Sequence, residues 1–281
     1  IKPFTGGAIS TGSLLLNRAI GVGGFPRGRL TEIWGEESSG KTTLCLSGIA
    51  NAQKMGLPAA IIDTEHALDM DYAEKLGVER DAVMVSQPDS GEEALDIAYA
   101  LANGGVGIIV IDSAPTLVPD AVLVADMGRS PFGQVARLLS ATLPKLKGAV
   151  RANGVALVIT NQLRADIGGW SPTGKAPTKS ATGWALKYAA DVRIKTARQY
   201  EKEKFEYQQL IKAFVNKNKI SAPFRKAEFV INYATGIDII AELIELGTEL
   251  GIIEAKAGGN YYYGGEHYRG KSAFEAALRA N

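Results

Sequence analysis

The sequence predicts an α/β fold with a mostly parallel central sheet, followed by a small α+β C-terminal domain. Three observations predict it. Short, almost unbroken apolar runs alternate with stretches of helical periodicity as far as residue 160, the pattern of strands buried on both faces and joined by crossover helices. Three strand-like segments then follow without long helices between them. After residue 238 the pattern turns helical, then aromatic, then helical again.

In chain order, LTEIWG (30–35), AAIID (59–63), VMVSQ (83–87), GIIVID (107–112) and GVALVIT (154–160) are predicted to be buried strands. Between them, 41–55, 68–76, 90–103 and 133–152 repeat apolar residues at helical spacing. DVRIKT (191–196), QLIKAFVN (209–216) and AEFVINY (227–233) form the β-rich extension. Residues 239–250 are helical, Tyr261 to Tyr263 are aromatic, and a last helix begins at Ser272. The division expected is a core over 1–237 and a small domain over 238–281. Two stretches resist assignment: 118–131, which mixes Pro, Asp, Gly and Arg with apolar residues, and 166–182, rich in Gly, Pro, Ser, Thr and Lys. Each follows the end of a core strand, where open α/β sheets bind ligands, and long irregular loops in compact domains are commonly functional.

With 281 residues, 46% apolar and 22% charged, the chain can bury a full core and a small second domain. Nothing reads as a signal peptide or an apolar membrane span, so a soluble cytoplasmic protein without a membrane partner is expected. Cys45 is the only cysteine, which excludes an internal disulfide, and two histidines with one cysteine exclude a zinc site of the usual kind. The net charge of +1 hides an uneven distribution. Glu32 to Asp96 carries fourteen acids against four bases, Arg137 to Lys187 eight bases against one acid, and Arg193 to Lys226 ten bases against three acids. Two consecutive basic stretches favour a positive surface for a polyanion.

Gly35-Glu36-Glu37-Ser38-Ser39-Gly40-Lys41-Thr42 fits G-x-x-x-x-G-K-[ST], directly after a strand and before a helix. Glycines let backbone N–H groups turn inward around phosphate oxygens, and the helix N-terminus adds a favourable dipole. Lys41 supplies a cation to the β and γ phosphates, and Thr42 an oxygen for Mg²⁺. Ile108-Ile109-Val110-Ile111-Asp112 ends an apolar strand with a carboxylate, as the metal-holding Asp of P-loop enzymes does. Together they imply a P-loop ATPase with ATP and Mg²⁺ as its cofactors. Asp63-Thr64-Glu65-His66 ends the intervening strand, where a carboxylate either orients the attacking water or, for Asp63, serves a helix start. Thr160-Asn161-Gln162 ends a further core strand, where an amide can contact the γ-phosphate and respond when it leaves.

These elements, in this order, resemble the bacterial RecA recombinases over almost the whole chain. GEESSGKTT, IIDTEHALD, SQPDSGEEAL, IVIDS, TNQLR and NKISAPF are close to that family's own strings. The resemblance implies a RecA-like ATPase core with two DNA-binding loops, about 118–132 and 163–183. It also implies a DNA-dependent ATPase that forms helical filaments on single-stranded DNA and pairs it with homologous double-stranded DNA. Carried over by residue, Glu65 is the catalytic carboxylate and Gln162 the γ-phosphate sensor, and Thr43 joins the ATP-binding loop. Asp69 and Tyr72 contact adenine, Tyr233 flanks the base, and Lys217 and Lys219 reach ATP on the neighbouring subunit. Phe132 and Ile167 match apolar wedges between nucleotide triplets, and Arg137, Ser140, Arg164 and Gly183 match backbone-contacting positions. Arg198 matches one of two basic residues on the duplex path, the other being Ala197.

Departures are visible. The second loop is a few residues longer than usual and carries Trp170, which can either stack a base or simply anchor the loop. Thr182-Gly183-Trp184 replaces the more usual Gly-Gly-Asn, and Pro144 replaces a basic residue. Only eight residues precede Ile9, so the docking element that joins subunits is expected to be shortened, and the acidic C-terminal tail to be absent. Two other readings share the core: a hexameric helicase or motor, which would normally bring an arginine finger, and a regulatory paralogue, against which Glu65 and Gln162 argue.

Overall fold

The structure, a computed structural model, describes residues 4–125, 133–165, 178–180, 182, 184–199 and 208–280, with 164, 165 and 178–180 described as backbone only. At the start, β1 (Ala8–Ile9) pairs antiparallel with β2 (Phe25–Pro26) around helix α1 (Leu14–Ile20). Ser13 caps α1 by accepting from the Leu16 N–H at 3.0 Å, and Gly21, at φ +86°, ends it in the left-handed conformation that glycine adopts without strain.

The core then runs β3 (Arg29–Gly35), α2 (Lys41–Lys54), β4 (Ala59–Asp63), α3 (Met70–Lys75), β5 (Val83–Ser86), α4 (Gly91–Asn103) and β6 (Ile108–Asp112). It continues with α5 (Asp120–Leu123), α6 (Gln134–Asn153), β7 (Ala156–Ala165), β8 (Thr178–Ser180), α7 (Ala185–Ala189), β9 (Val192–Gln199), β10 (Gln208–Asn218), β11 (Arg225–Asn232) and β12 (Gly236–Ile237). The main sheet has the order β12-β11-β10-β9-β3-β7-β6-β4-β5. It is parallel from β9 to β5 and antiparallel from β9 to β12. Both faces are covered, which explains the unbroken apolar runs. Ile61, Val110 and Val158 pack on one face with Leu44 and Ile49 of α2, while Ile62, Ile111 and Leu157 pack on the other with Leu95 of α4 and Leu143 of α6.

Three expectations are corrected here. VMVSQ is a strand but not a buried one: β5 is the sheet edge, and Met84 and Val85 are 40% and 44% exposed. Apolar composition alone does not tell an edge strand from a central one. The stretch 118–131 contains a short helix, α5, before residues 126–132, which lie outside the described residues. The strand read as 154–160 runs on to Ala165 and pairs antiparallel with β8, Leu163 opposite Ser180, so the second irregular stretch springs from a hairpin. Pro144 is accommodated on the exposed side of α6, a twenty-residue helix.

One polar cluster lies inside the sheet. Arg193 of β9 donates through Nε to Glu32 Oε2 of β3 and through Nη2 to Oε1 at 3.3 Å, and its guanidinium sits 4.7 Å from the Trp34 ring centre. Asn161 Nδ2 donates to the same Glu32 carboxylate and to the Thr182 hydroxyl, each at 2.9 Å. Removing one partner strands a buried charge, a loss of about 3–5 kcal/mol. Arg193→Leu is therefore expected to lower the urea midpoint sharply and Glu32→Leu with Arg193→Leu to recover much of it. Equal midpoints for Arg193→Leu and the parent would show the pair to be energetically idle.

The chain closes with α8 (Ile239–Glu249), a three-stranded antiparallel sheet of β13 (Glu254–Lys256), β14 (Asn260–Tyr263) and β15 (Glu266–Arg269), and α9 (Lys271–Ala280). Phe274 of α9 is buried beneath this sheet, with Tyr261 and Tyr268 rings 5.1 and 5.0 Å away. Glu242 of α8 ties the unit to the core by accepting from the Leu15 N–H of α1 at 3.0 Å. Cys45, in the second turn of α2, is fully buried, and burial pushes its thiol pKa well up.

Candidate nucleotide site and DNA-facing elements

The sequence-predicted nucleotide residues converge at the C-terminal ends of β3, β4, β6 and β7. The loop after β3 turns through Ser38, at φ +54°, and Gly40, at φ +79°. Glycine is required at two points. A Cβ on Gly35 would lie 2.3 Å from the Thr196 carbonyl oxygen, and one on Gly40 would lie 2.5 Å from Ile231 Cδ1. Lys41 opens α2 with its ammonium inside the loop, donating to the Glu36 carbonyl at 2.6 Å and the Gly35 carbonyl at 3.4 Å. Burial lowers its pKa, opposed by Asp112 and Glu65.

Thr42 Oγ1 donates to Asp112 Oδ2 at 2.8 Å, and Thr160 Oγ1 donates to Asp112 Oδ1 at 2.5 Å. Burial raises the Asp112 pKa while both hydroxyls oppose the rise. One carboxylate and one hydroxyl are hard oxygen donors of the kind Mg²⁺ takes alongside phosphate oxygens and water, so the residues fit that ion. Next to them, Glu65 Oε1 accepts from the Ser113 hydroxyl and from Gln162 Nε2 at 2.9 Å. The Gln162 N–H is held in turn by Asn161 Oδ1 at 2.9 Å. Asp63 is engaged elsewhere. It is buried, and it accepts from the backbone N–H of Glu65 and Leu68 and, at 2.9 Å, from Gln87 Nε2. Of the two acids Asp63 and Glu65, Asp63 thus shapes the loop and Glu65 faces the site.

Asp69 caps α3 by accepting from the Tyr72 N–H at 2.9 Å, and the Tyr72 hydroxyl meets Thr43 Oγ1 at 2.9 Å, which ties α3 to the loop. Tyr233 and Gln209, joined by a hydrogen bond, line a cavity of about 140 Å³ together with residues 38–43 and Ile231.

A family model described as the RecA N-terminal domain matches residues 5–238. Protein RecA of Chlorobaculum parvum is 48% identical over 262 residues, covering 92% of this chain and 74% of the relative. Protein RecA of Aquifex aeolicus is 49% identical over 261 residues, 91% and 74%, and that of Kineococcus radiotolerans 47% over 278 residues, 97% and 78%. The chain belongs to the RecA family. It is a DNA-dependent ATPase and a recombinase of DNA recombination and repair, on the RecA-like α/β fold. Members of this family bind ATP and DNA and form filaments. No helix among the described residues is long and apolar enough to cross a membrane.

The lysines that the RecA resemblance aims at a neighbour lie far from their own nucleotide loop. Asn218 of β10 is opposite Val192 of β9, which is opposite Thr31 of β3, whereas the loop leaves β3 at Gly35, opposite Thr196. Lys217 and Lys219 therefore sit toward the end of the sheet where β3 begins. Lys217 Nζ donates to the carbonyls of Lys187 at 2.7 Å and Tyr188 at 3.1 Å, capping the end of α7, and Lys219 Nζ is 3.8 Å from Asp191.

The residues expected to face DNA are only partly described. Arg137 and Ser140 are exposed on the first turns of α6, with Ser140 Oγ donating to the Ala136 carbonyl at 2.7 Å. Arg198 lies on β9 opposite Ile211, and the Arg164 backbone pairs with Lys179. Phe132, Ile167, Trp170 and Gly183 lie outside the described residues. Sequence reasoning passed over Ser113, although it stands in the quoted string IVIDS, and Gln209, which no motif marks. It also passed over the Glu32–Arg193 pair: Glu32 is the one acid of β3, but Arg193 shares β9 with Lys195 and Arg198, so nothing in the sequence singled it out.

Proposed function

We propose that this chain binds ATP and Mg²⁺, assembles on single-stranded DNA as a helical filament, and pairs that strand with homologous double-stranded DNA. The observation that supports this reading is the separation of Lys217 and Lys219 from their own nucleotide loop, the placement expected of lysines that serve a neighbouring subunit. Residues 35–43 cradle the phosphates, with Lys41 on the β and γ groups and Thr42 and Asp112 holding Mg²⁺, which neutralises phosphate charge. Glu65 orients the attacking water, and Gln162, bonded to it, senses the γ-phosphate. Asp69, Tyr72 and Tyr233 surround the base. Arg137, Ser140, Arg164 and Gly183 hold the DNA backbone, Phe132 and Ile167 wedge between triplets, and Arg198 lies on the duplex path. Residues 1–237 are the ATPase core and 238–281 a small C-terminal domain, and the protein works in the cytoplasm.

Electron microscopy with single-stranded DNA and a non-hydrolysable ATP analogue tests the reading. Extended helical filaments are expected. Closed rings would indicate a hexameric motor, and free protomers a regulatory paralogue.

A pH dependence follows from Lys217. Burial, then repulsion by Lys219 and Arg193, holds its pKa down to about 8. Above that value the free chain carries a neutral amine, which must take up a proton to meet a neighbour's phosphate. ATP-dependent assembly, followed by light scattering, is expected to weaken as pH rises through about 8. Lys217→Arg, always charged, is expected to flatten that limb. A limb that is unchanged in the arginine variant would locate the titration in another group.

A further inference from the structure

Arg27, Arg29, Arg151 and Lys219 line one cavity of about 350 Å³ together with Phe4 and Gly28. It opens where β3 begins. Arg29 is the first residue of that seven-residue strand and Gly35 the last, so the cavity is roughly 20 Å from the nucleotide loop. Its cations are poorly compensated. Arg27 donates through Nε to the Gly154 carbonyl at 2.9 Å and has no ion pair among the described residues. Arg29 lies over the Phe4 ring, 6.0 Å from its centre. Neither Arg29 nor Arg151 has an ion-pair partner among the described residues, and Lys219 has only the 3.8 Å approach to Asp191. Among the described residues no acid lines the cavity.

Gathering four cations around one concavity without a facing carboxylate costs free energy through mutual repulsion, a cost that a bound anion removes. Guanidinium forks match phosphate oxygens in pairs, and the face of the Phe4 ring helps to hold that of Arg29 in place. The volume is in the range of small-molecule sites, roughly 300–1,000 Å³. We propose that this cavity is a second anion site of the chain, separate from the nucleotide loop, and that it takes a phosphate group. The phosphate comes either from a free polyphosphate compound or from the backbone of bound DNA.

The probe is pyrophosphate, titrated calorimetrically into a Lys41→Ala protein so that the nucleotide loop does not compete. One bound pyrophosphate per chain is expected. Adding Arg29→Gln with Arg151→Gln should weaken it at least about tenfold, two charge-assisted contacts being lost. Arg29→Lys with Arg151→Lys keeps the charge and should keep most of the binding, which separates lost recognition from lost folding. Arg27 and Lys219 are left intact, so neither the loop anchored on Gly154 nor the proposed inter-subunit lysine is disturbed. Filament formation by the double glutamine variant with an intact Lys41 would show the proposed function standing whatever the result here. The source is read from single-stranded DNA binding across a salt series. A slope shallower by roughly one to two identifies the DNA backbone. An unchanged slope with lost pyrophosphate binding identifies a free compound. Absence of pyrophosphate binding in the Lys41→Ala protein, or equal affinity after both arginines are neutralised, overturns the site.

Discussion

Filaments mixed from a Glu65→Gln protein and a Lys217→Ala, Lys219→Ala protein are expected to hydrolyse ATP on DNA, although each protein alone is nearly inactive. On the proposed reading each junction needs one intact carboxylate on the side of the nucleotide loop and two intact lysines from the next subunit. A random mixture supplies such junctions. The physical basis is the register of the sheet: β10 carries its lysines to the end where β3 begins, while the loop leaves β3 at Gly35. A cation brought in at that point stabilises charge building on the transferred phosphoryl, an effect worth roughly 10³–10⁵ in rate for arginine fingers. Lys217 starts from contacts with the Lys187 and Tyr188 carbonyls, so it exchanges two neutral acceptors for an anion when a neighbour docks. Mixed filaments that form without recovering activity would place the lysines in cis or outside the reaction.

Glu65→Gln alone should slow turnover by roughly 10²–10⁴ while leaving ATP affinity nearly unchanged. The amide matches the carboxylate in shape but cannot take a proton from water. On the proposed reading affinity rests elsewhere, on the loop glycines, Lys41 and the Thr42–Asp112 pair, none of which the substitution touches. Single-turnover rates beside nucleotide binding measured by fluorescence separate the two quantities. Ser113→Ala should cost much less, since Ser113 donates to the Glu65 carboxylate and replaces no reacting group. Parallel loss of binding and turnover in Glu65→Gln would make the residue a structural support of the loop.

Most of the architecture was legible because burial on both faces forces a strand to be apolar at every position. AAIID and GIIVID supply Ile61 and Ile62, or Val110 and Ile111, to opposite layers. VMVSQ is similarly apolar but lies at the sheet edge, where Met84 and Val85, on opposite faces, are both exposed, and composition alone does not carry that position. The nucleotide loop was legible because phosphate binding needs backbone geometry that only particular glycines permit. What stayed hidden depends on contacts distant in sequence. Glu32 meets Arg193 and Asn161 only after three strands are aligned. Gln209 meets Tyr233 only across a hairpin, and Ser113 gains a role only once Glu65 is folded against it.

The buried Cys45 has a practical consequence for optical work on this protein. A thiol with no surface and a raised pKa reacts slowly with maleimides and other alkylating dyes, because the thiolate is the nucleophile. Within these 281 residues, no cysteine then has to be removed before a dye is placed elsewhere. A single cysteine introduced on the exposed side of α6, at Gly148 for instance, where an added side chain meets nothing within 4 Å, would carry one dye per protomer. Energy transfer between neighbouring protomers would then report the spacing of the assembly directly.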